Sequence, residues 1–378
     1  MGAGTSIAVK LPGIEKLTHN VAQKLEGSQK EILEKIKQEF SDNPNIEDVL
    51  NRLRLHRELI ADSEIYESGG IKGKIKAKEL DIAICKTIAE EVSKSVDIRP
   101  HKTIAQWIRY LHANREYPIE IFTTNYDLLI EQALEQAQVP FFDGFVGSVD
   151  PFFIPESIDA RPKKDEGLNY YPPKSWTRLW KLHGSINWYA NDSLKTICRQ
   201  SGQSTLDGQE LMIFPSREKY AQSRKLPFIA LQDRLRNFLA NGETLLIIHG
   251  YSFSDHHLNE IIFQCLRSNP HLSVMVFIYD NLVAEFENYG KENRKLTFYS
   301  PEKLCVGGIV SKWKEPDRKK QEDDVWDFWD DKTKKFLLGD FNKFASFLES
   351  FIGFNITQNF TVNENQIPEE ATKEQNEN

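Results

Sequence analysis

The spacing of apolar residues divides the chain into a helical first third and a longer part in which short apolar runs alternate with helical segments. From residue 14 to about residue 70, apolar side chains recur three and four positions apart with charged residues between them, as at Ile32, Leu33 and Ile36. This period is that of amphipathic helices. After a break at 67–70, the same spacing predicts helices over about 77–96 and 103–114.

Beyond residue 117, runs rich in β-branched and aromatic residues are each followed by a helical segment. The runs predict strands at 119–123, 178–182, 244–249 and 272–279, and the segments between them predict helices at 128–137, 220–239 and 256–266. Runs that are apolar throughout are typical of parallel strands covered by helices on both faces. The sequence therefore predicts an α/β fold, a Rossmann-like parallel sheet with a large helical insertion at about 14–115.

Four segments show no such period or change the character of the chain. Residues 141–173 and 191–210 are predicted to be irregular, and long loops of this kind often carry function. Past residue 301, a charged and aromatic stretch at 312–335 precedes a predicted apolar helix at 336–351. The polar tail, 357–378, has little to bury and is expected to be disordered. We therefore expect one domain over 1–300, a segment for oligomerisation or a partner at 301–356, and the tail.

Composition excludes several classes of protein. With 48 Lys and Arg against 56 Asp and Glu, the formal net charge is −8, which does not favour direct nucleic-acid binding. No apolar stretch approaches the ~18 residues of a membrane helix and no signal-like segment is present, so we expect a cytoplasmic protein that does not enter a membrane. The four cysteines form no C-x-x-C pair, so no zinc ribbon, disulfide framework or other metal site is expected.

Polar residues directly follow three of the predicted strands. They are Thr123-Thr124-Asn125-Tyr126-Asp127, His183-Gly184-Ser185 and the run from His249 to Asp255. Ligands of doubly wound sheets bind beyond the carboxyl ends of the strands, so these residues are candidates for a binding site. Each taken alone is also explained by turn and capping chemistry.

A fourth candidate is the loop Gly2-Ala3-Gly4-Thr5-Ser6, because glycines ahead of a helix let backbone amides approach a phosphate. Such a loop normally follows a β-strand, and no strand precedes Gly2 in this sequence. We therefore expect that about 10 to 30 further residues, including a short strand, belong upstream of Met1.

The order of these motifs is more specific than any one of them. G-A-G-T-S at 2–6, T-T-N-Y-D at 123–127, K-L-H-G-S at 181–185 and I-I-H-G-Y-S-F-S-D at 247–255 together resemble the sirtuin superfamily. The chain is most similar to bacterial sirtuin-like proteins of anti-phage defence that are encoded beside a HerA-type ATPase. The resemblance touches residues 2 to about 280 and covers the helical block only loosely.

The resemblance implies roles for individual residues. It implies that the NAD diphosphate is held by Gly2, Ala3, Gly4, Thr5 and Ser6. Asn125 and Asp127 match the pair beside the nicotinamide and its ribose, with Thr124 in the same loop, and His183 matches the histidine that contacts that ribose. A second nucleotide-binding turn is implied at Gly250, Tyr251 and Ser252. Asn125 and His183 are the expected catalytic residues: the amide would orient a water or a ribose hydroxyl, and the imidazole would take a proton near neutral pH.

Two departures from the family's pattern bear on the activity. Sirtuin deacylases carry paired C-x-x-C motifs and a Phe-Arg in the first loop, and this chain has neither. The resemblance therefore implies a NAD glycohydrolase that yields nicotinamide and ADP-ribose in anti-phage defence, with NAD as substrate. The alternatives are a scaffold that senses NAD or ADP-ribose without turnover, and a deacylase or ADP-ribosyltransferase, for which no acceptor groove is evident.

An enzyme that consumes NAD in its own cell has to be restrained, so we expect a homo-oligomer controlled by a partner, and the resemblance suggests a HerA-type ATPase. Trp313, Trp326 and Trp329 lie among acidic residues and fit either a docking face or a packed helix face. His249, His256 and His257 have poor spacing for a metal, and Asp255 is expected to cap the helix that starts at His256.

Overall fold

The structure is a computed structural model that describes residues 1–111, 117–158, 172–191, 196–200, 211–213, 227–315 and 328–360. Residues 361–378, most of the tail expected to be disordered, lie outside the described residues, and so do Trp326 and residues 220–226 of a predicted helix.

The first third is helical, as predicted. After the short α1 (Ala3–Ile7) come α2 (Ile14–Lys24), α3 (Gly27–Gln38), α4 (Ile46–Ile60), the hairpin β1 (Glu67–Ser68) and β2 (Ile71–Lys72), α5 (Lys74–Val92) and α6 (Arg99–Leu111). Asn45 starts α4 with a reciprocal capping box in which its side chain accepts from the Asp48 amide and Asp48 accepts from the Asn45 amide. The buried faces of α2–α5 form one core that also includes Leu129 and Ile186, so the helical block packs on the α/β part of the chain.

The second part alternates strands and helices. It contains β3 (Glu120–Thr123), α7 (Leu129–Gln136), β4 (Phe141–Phe142), β5 (Phe145–Val146), β6 (Phe152–Phe153), β7 (Thr177–Lys181), β8 (Gly184–Asn191), β9 (Thr196–Arg199), β10 (Leu211–Ile213) and α8 (Phe228–Ala240). After these come β11 (Thr244–His249), α9 (His256–Ser268), β12 (Leu272–Phe277), α10 (Ala284–Glu292), β13 (Leu296–Tyr299), β14 (Lys303–Val306), β15 (Ile309–Lys312), β16 (Trp329–Asp330), β17 (Lys335–Phe336) and α11 (Phe341–Phe360).

Parallel pairing dominates the strands that carry the candidate loops. β3 and β4 both run parallel to β7, in the order β3-β7-β4. In a second sheet β11, β12 and β13 are parallel, and β14 and β15 add an antiparallel hairpin. The predicted α/β class with a parallel sheet is confirmed.

Two predicted boundaries are wrong. The stretches expected to be irregular, 141–173 and 191–210, contribute β4, β5, β6 and β9, and β5, β6 and β9 join β8 and β10 in an antiparallel sheet. The C-terminal helix begins at Phe341 rather than 336, because Phe336 stacks on Trp313 at 4.6 Å and its amide bonds to the Pro301 carbonyl. The chain then turns tightly at Gly339, where an added Cβ would lie 1.9 Å from the Ile278 oxygen.

The sheet that contains β3 and the sheet that contains β11 meet edge to edge across a cleft. β3 ends one sheet and β11 ends the other, and between them lies an apolar cavity of about 530 Å³, closed partly by α6 and α11. At the carboxyl end of the cleft, Met1 bonds to Phe122 of β3 and Gly2 bonds to His249 of β11. Within the same residues, no helix combines the length and the apolar character that would let it cross a membrane.

Candidate functional site

The loops after β3 and β7 lie side by side. The Leu182 amide donates to the Thr123 carbonyl at 2.8 Å, and the Ile186 amide donates to the Tyr126 carbonyl at 3.0 Å. Because both strands run in the same direction, Asn125 and His183 follow neighbouring strand ends. The structure therefore brings together the two loops that the sequence singled out.

The first loop packs against the turn after β11, backbone on backbone. The Gly4 amide donates to the Gly250 carbonyl at 2.9 Å, and a Cβ on Gly2 would lie 2.5 Å from that same oxygen. Gly250 has a φ of +67°, in the left-handed region that favours glycine. The glycines are thus needed for the close approach of the two loops, whatever ligand they bind.

The hydrogen bonds of Asn125 leave one atom of its side chain available. Its Nδ2 donates to Ser6 Oγ at 2.8 Å and to Thr5 Oγ1 at 3.1 Å. Each hydroxyl donates its own hydrogen to another acceptor. Ser6 donates to Asp127 Oδ2 at 2.6 Å, and Thr5 donates to the Gly2 carbonyl at 2.9 Å. The orientation of the amide is therefore fixed, and its Oδ1 is buried without a hydrogen-bond partner.

Asp127 lies behind this cluster. One of its oxygens accepts from Ser6, and the other accepts from the Leu129 amide at 3.1 Å at the start of α7. The residue is buried, and the resemblance places it beside the nicotinamide ribose. In this geometry its carboxylate orients Ser6, and through Ser6 it orients Asn125. Thr124, in the same loop, donates its amide to the Met1 carbonyl at 3.2 Å.

His183 is paired with a carboxylate. Its Nε2 lies 2.8 Å from Asp255 Oδ2, while Asp255 Oδ1 accepts from the His257 and Leu258 amides and so caps α9, as predicted. Burial raises the pKa of Asp255, but the His183 ring and the two amides outweigh it and lower that pKa to about 2. An ionised carboxylate only accepts hydrogen bonds, so the His183 ring donates to Asp255 from Nε2.

One residue that sequence reasoning missed, Glu47, extends the site into the helical block through Tyr126 of the T-T-N-Y-D loop. The Tyr126 hydroxyl donates to Glu47 Oε1 in the first turn of α4. Burial raises the pKa of the Glu47 carboxyl, whose charge also interacts with His183 and Asp255. Glu47 lies 79 positions from Tyr126 along the chain, so the spacing of the motifs does not show this contact.

The turn after β11 divides its residues between the interior and the surface. The Tyr251 hydroxyl points inward, where it donates to Asn259 Oδ1 at 2.9 Å, and burial raises its pKa. Ser252 is exposed and bonds to the neighbouring Ser254. Of the three residues expected to hold nucleotide here, Gly250 alone contacts the Gly2–Ser6 loop through a backbone hydrogen bond.

The three histidines near this turn do not converge. His249 is buried against Phe277, Phe341 and Phe344, with its Nε2 3.1 Å from the Leu338 carbonyl, whereas His256 and His257 are exposed. No group of histidine, cysteine and acidic residues suited to a metal ion occurs in the part of the chain that the structure describes.

Acidification from about pH 6.5 towards pH 4 is expected to lower the free energy of unfolding. Burial lowers the pKa of His249 and of His101 from 6.5 to about 4. Below pH 6.5 the unfolded chain therefore binds protons that the folded chain excludes, at a cost of about 3 kcal/mol per histidine once pH 4 is reached. Urea denaturation at several pH values in this range measures how the free energy of unfolding changes with pH. His249→Gln should flatten it and the exposed His256→Gln should not; a stability that does not change with pH would contradict the burial of neutral imidazoles.

Comparison with known proteins supports the sirtuin-like character of the chain. The family described as SIR2-like domain matches residues 119–299, from the residue before β3 to the end of β13. No curated protein matches the chain at a significant level. The matched range includes Asn125, His183 and Gly250, and domains of this kind are often NAD-dependent enzymes, so the chain is consistent with NAD-related activity. The Gly2–Ser6 loop and the helical block lie outside the match.

Proposed function

We propose that this chain is a NAD glycohydrolase, which cleaves NAD to nicotinamide and ADP-ribose. The observation that carries the proposal is Asn125 within a SIR2-like domain: its amide is locked by Thr5 and Ser6 so that a buried, partnerless oxygen remains. Such an oxygen accepts a hydrogen bond from a ribose hydroxyl or a water. The residues present thus fit NAD as substrate, with the Gly2–Ser6 loop and Gly250 beside its diphosphate.

The proposed reaction assigns one role to each polar group. A water attacks C1′ of the nicotinamide ribose while the bond from C1′ to the nicotinamide nitrogen breaks, through an oxocarbenium-like state. Neutral nicotinamide leaves with the electron pair of that bond. Asn125 Oδ1 orients the hydroxyl or water, and His183 takes the proton that the water loses, with the Asp255 carboxylate stabilising the imidazolium formed.

Turnover separates this proposal from a scaffold that binds NAD or ADP-ribose without reaction. Both functions use the same pocket, so binding alone does not distinguish them. Nicotinamide released from NAD by the purified protein, measured by chromatography, is the test. The Tyr126–Glu47 pair gives the helical block a contact with this site, through which a partner bound to the block could act on turnover.

We propose further that the enzyme acts in anti-phage defence by depleting NAD and that assembly, including a HerA-type ATPase partner, controls it. The hairpin of β14 and β15 supports self-association, because β15 is the last strand of its sheet and Ile309 on it is 70% exposed. Trp313 is a weaker docking candidate, because it stacks on Phe336 and bonds to the Ser300 carbonyl.

Ile309→Lys is expected to shift the protein from oligomer to monomer. Antiparallel pairing of two β15 edges would bury position 309, and a lysine charge at that position opposes burial. Light scattering at micromolar concentration measures the mass. Val149→Lys, at another exposed apolar position, is the matched control and should leave the oligomer intact. A monomeric wild-type chain that gains no mass with a HerA-type ring would contradict both parts of the assembly proposal.

A further inference from the structure

We propose that Glu47, the carboxylate that α4 directs at the T-T-N-Y-D loop, is a further catalytic residue of the site. In this role it accepts a hydrogen bond from a hydroxyl of the nicotinamide ribose, and its charge stabilises the positive charge that develops on that ribose. The inference rests on the proposed function. It adds a substrate contact from the helical block, which lies outside the matched SIR2-like range.

The backbone of Glu47 is held in place by the start of α4. Its amide donates to Asn45 Oδ1 at 2.9 Å, within the capping box. The neighbouring Ile46 amide donates to the Thr18 hydroxyl of α2 at 2.9 Å, and the Ile46 side chain is buried. The first turn of α4 is therefore fixed on α2, and the Glu47 carboxyl projects from a rigid element, as a catalytic group requires.

The two oxygens of the Glu47 carboxyl differ in their contacts. Oε1 accepts from the hydroxyl of Tyr126, the residue that directly follows Asn125. Oε2 accepts no hydrogen bond from any residue that the structure describes. The side chain is half-buried, so Oε2 is an acceptor that the fold does not use and that a ligand hydroxyl can bond.

The charge of Glu47 is not compensated by a nearby cation. Carboxyls buried elsewhere in the fold pair with a lysine or arginine, as in Asp81–Arg54, Asp143–Arg199 and Glu131–Lys181. Among the described residues, neither a lysine nor an arginine pairs with Glu47. Burial raises the pKa of its carboxyl, while the Tyr126 hydroxyl and His183 act in the opposite direction. Unpaired acids of this kind are concentrated at functional sites, and a cationic ligand supplies the missing charge.

The charges of NAD assign Glu47 to the nicotinamide end of the substrate. The nicotinamide ring of NAD is positively charged, whereas its diphosphate is negatively charged. The Glu47 charge interacts with His183, the proposed base at C1′, and with Asp255. The Gly2–Ser6 loop, proposed to lie beside the diphosphate, contains no charged side chain. A carboxylate attracts the first end of NAD and repels the second, so Glu47 belongs beside the nicotinamide ribose.

The reaction explains why a carboxylate is useful there. As the bond to nicotinamide breaks, positive charge moves from the ring to C1′ and the ring oxygen of the ribose. A fixed negative charge beside the ribose stabilises this state. Glu47 forms no covalent bond and transfers no proton. The attacking water still loses its proton to His183, and nicotinamide still leaves with the electron pair of the broken bond.

The test begins with Glu47→Gln, which removes the charge but keeps an oxygen that accepts from Tyr126 and from a ribose hydroxyl. We expect kcat for nicotinamide release to fall about tenfold or more. The Kd of ADP-ribose, measured by calorimetry, should change by less than roughly threefold, because the lost interaction acts in the transition state.

Glu58→Gln is the matched control. Glu58 lies eleven positions further along α4, about 16 Å from Glu47 along the helix axis. It is also half-buried, and its Oε1 is buried without a hydrogen-bond partner. This variant removes the same charge from the same helix and should change neither kcat nor the Kd of ADP-ribose.

Two further variants separate a substrate contact from a structural role. Glu47→Ala also removes the acceptor, so ADP-ribose, which keeps the ribose hydroxyls, should bind about tenfold more weakly. Tyr126→Phe breaks the link between α4 and the loop but leaves the carboxylate, so it should lower kcat by a smaller factor than Glu47→Gln. If Glu47 only held Tyr126 in place, Glu47→Gln would be harmless and Tyr126→Phe would be as damaging as Glu47→Ala.

Three results would overturn the proposal. They are equal turnover by Glu47→Gln and Glu58→Gln, the reversed order that a structural role predicts, and unchanged binding of ADP-ribose by Glu47→Ala. A wild-type chain that releases no nicotinamide would instead contradict the proposed function. The ADP-ribose measurement does not depend on turnover, so weaker binding by Glu47→Ala would still support the ribose contact in that case.

Discussion

Asn125→Ala is expected to reduce NAD cleavage at least 100-fold, the scale observed when one preorganised polar group is removed from a catalytic site. The variant removes the one buried oxygen in the Thr5–Ser6–Asn125 cluster that has no partner in the fold. It also removes two hydrogen bonds, worth about 1 kcal/mol each, so the protein should remain folded. Nicotinamide release and the thermal midpoint measure the two effects separately.

Asn187→Ala is the matched control for this experiment. Asn187 is also partly buried, its Oδ1 also lacks a partner, and its Nδ2 donates to Gln200, but it lies on β8 away from the loop cluster. We expect near-normal turnover from this variant. If Asn125→Ala retained near-normal turnover, or if Asn187→Ala lost as much, the assignment of Asn125 would be wrong.

His183→Ala is expected to lower kcat by a factor of 100 or more, and Asp255→Asn is expected to lower it by a smaller factor with little change in KM. The first variant removes the proposed base, and the second removes the charge that stabilises its protonated form. Asparagine is as good an N-cap as aspartate, so Asp255→Asn should keep α9 capped and the fold intact. Steady-state kinetics with circular dichroism measure activity and folding together.

His256→Ala is the control for the two variants of the His183–Asp255 pair. His256 follows Asp255 directly and is exposed, so its removal should leave kcat unchanged. Full activity of His183→Ala would exclude the imidazole as the base. Equal losses in Asp255→Asn and His256→Ala would show that the start of α9, and not the pairing with His183, is responsible.

The sequence predicted the parts of the fold that depend on local pattern. Strands β3, β7, β11 and β12 and the helix after Asp255 were predicted because apolar runs and turn residues are short-range signals. The helix at 336–351 was predicted too early because Phe336 is held by Trp313 and Pro301, contacts that periodicity cannot show. Strand β9 was missed for the same reason: it is defined by its pairing with β8 and β6.

For the candidate site, the sequence identified the loops but not the links between them. The motifs placed Asn125, His183 and Gly250 at strand ends, which the structure shows to be adjacent or in contact with the first loop. The bonds of Asn125 to Thr5 and Ser6, of His183 to Asp255 and of Tyr126 to Glu47 join residues 72 to 120 positions apart. Side-chain contacts at such separations depend on how the chain packs, so they are not predicted from the spacing of residues along the sequence.

The most direct test of the account is the stoichiometry of products when the purified protein is incubated with NAD, alone and with a HerA-type ATPase. The account predicts nicotinamide and ADP-ribose in equal amounts from the wild-type chain in at least one of the two conditions. It predicts at least 100-fold less of both from Asn125→Ala under the same condition. Stoichiometric NAD binding with no nicotinamide released in either condition would contradict it and would favour a binding scaffold.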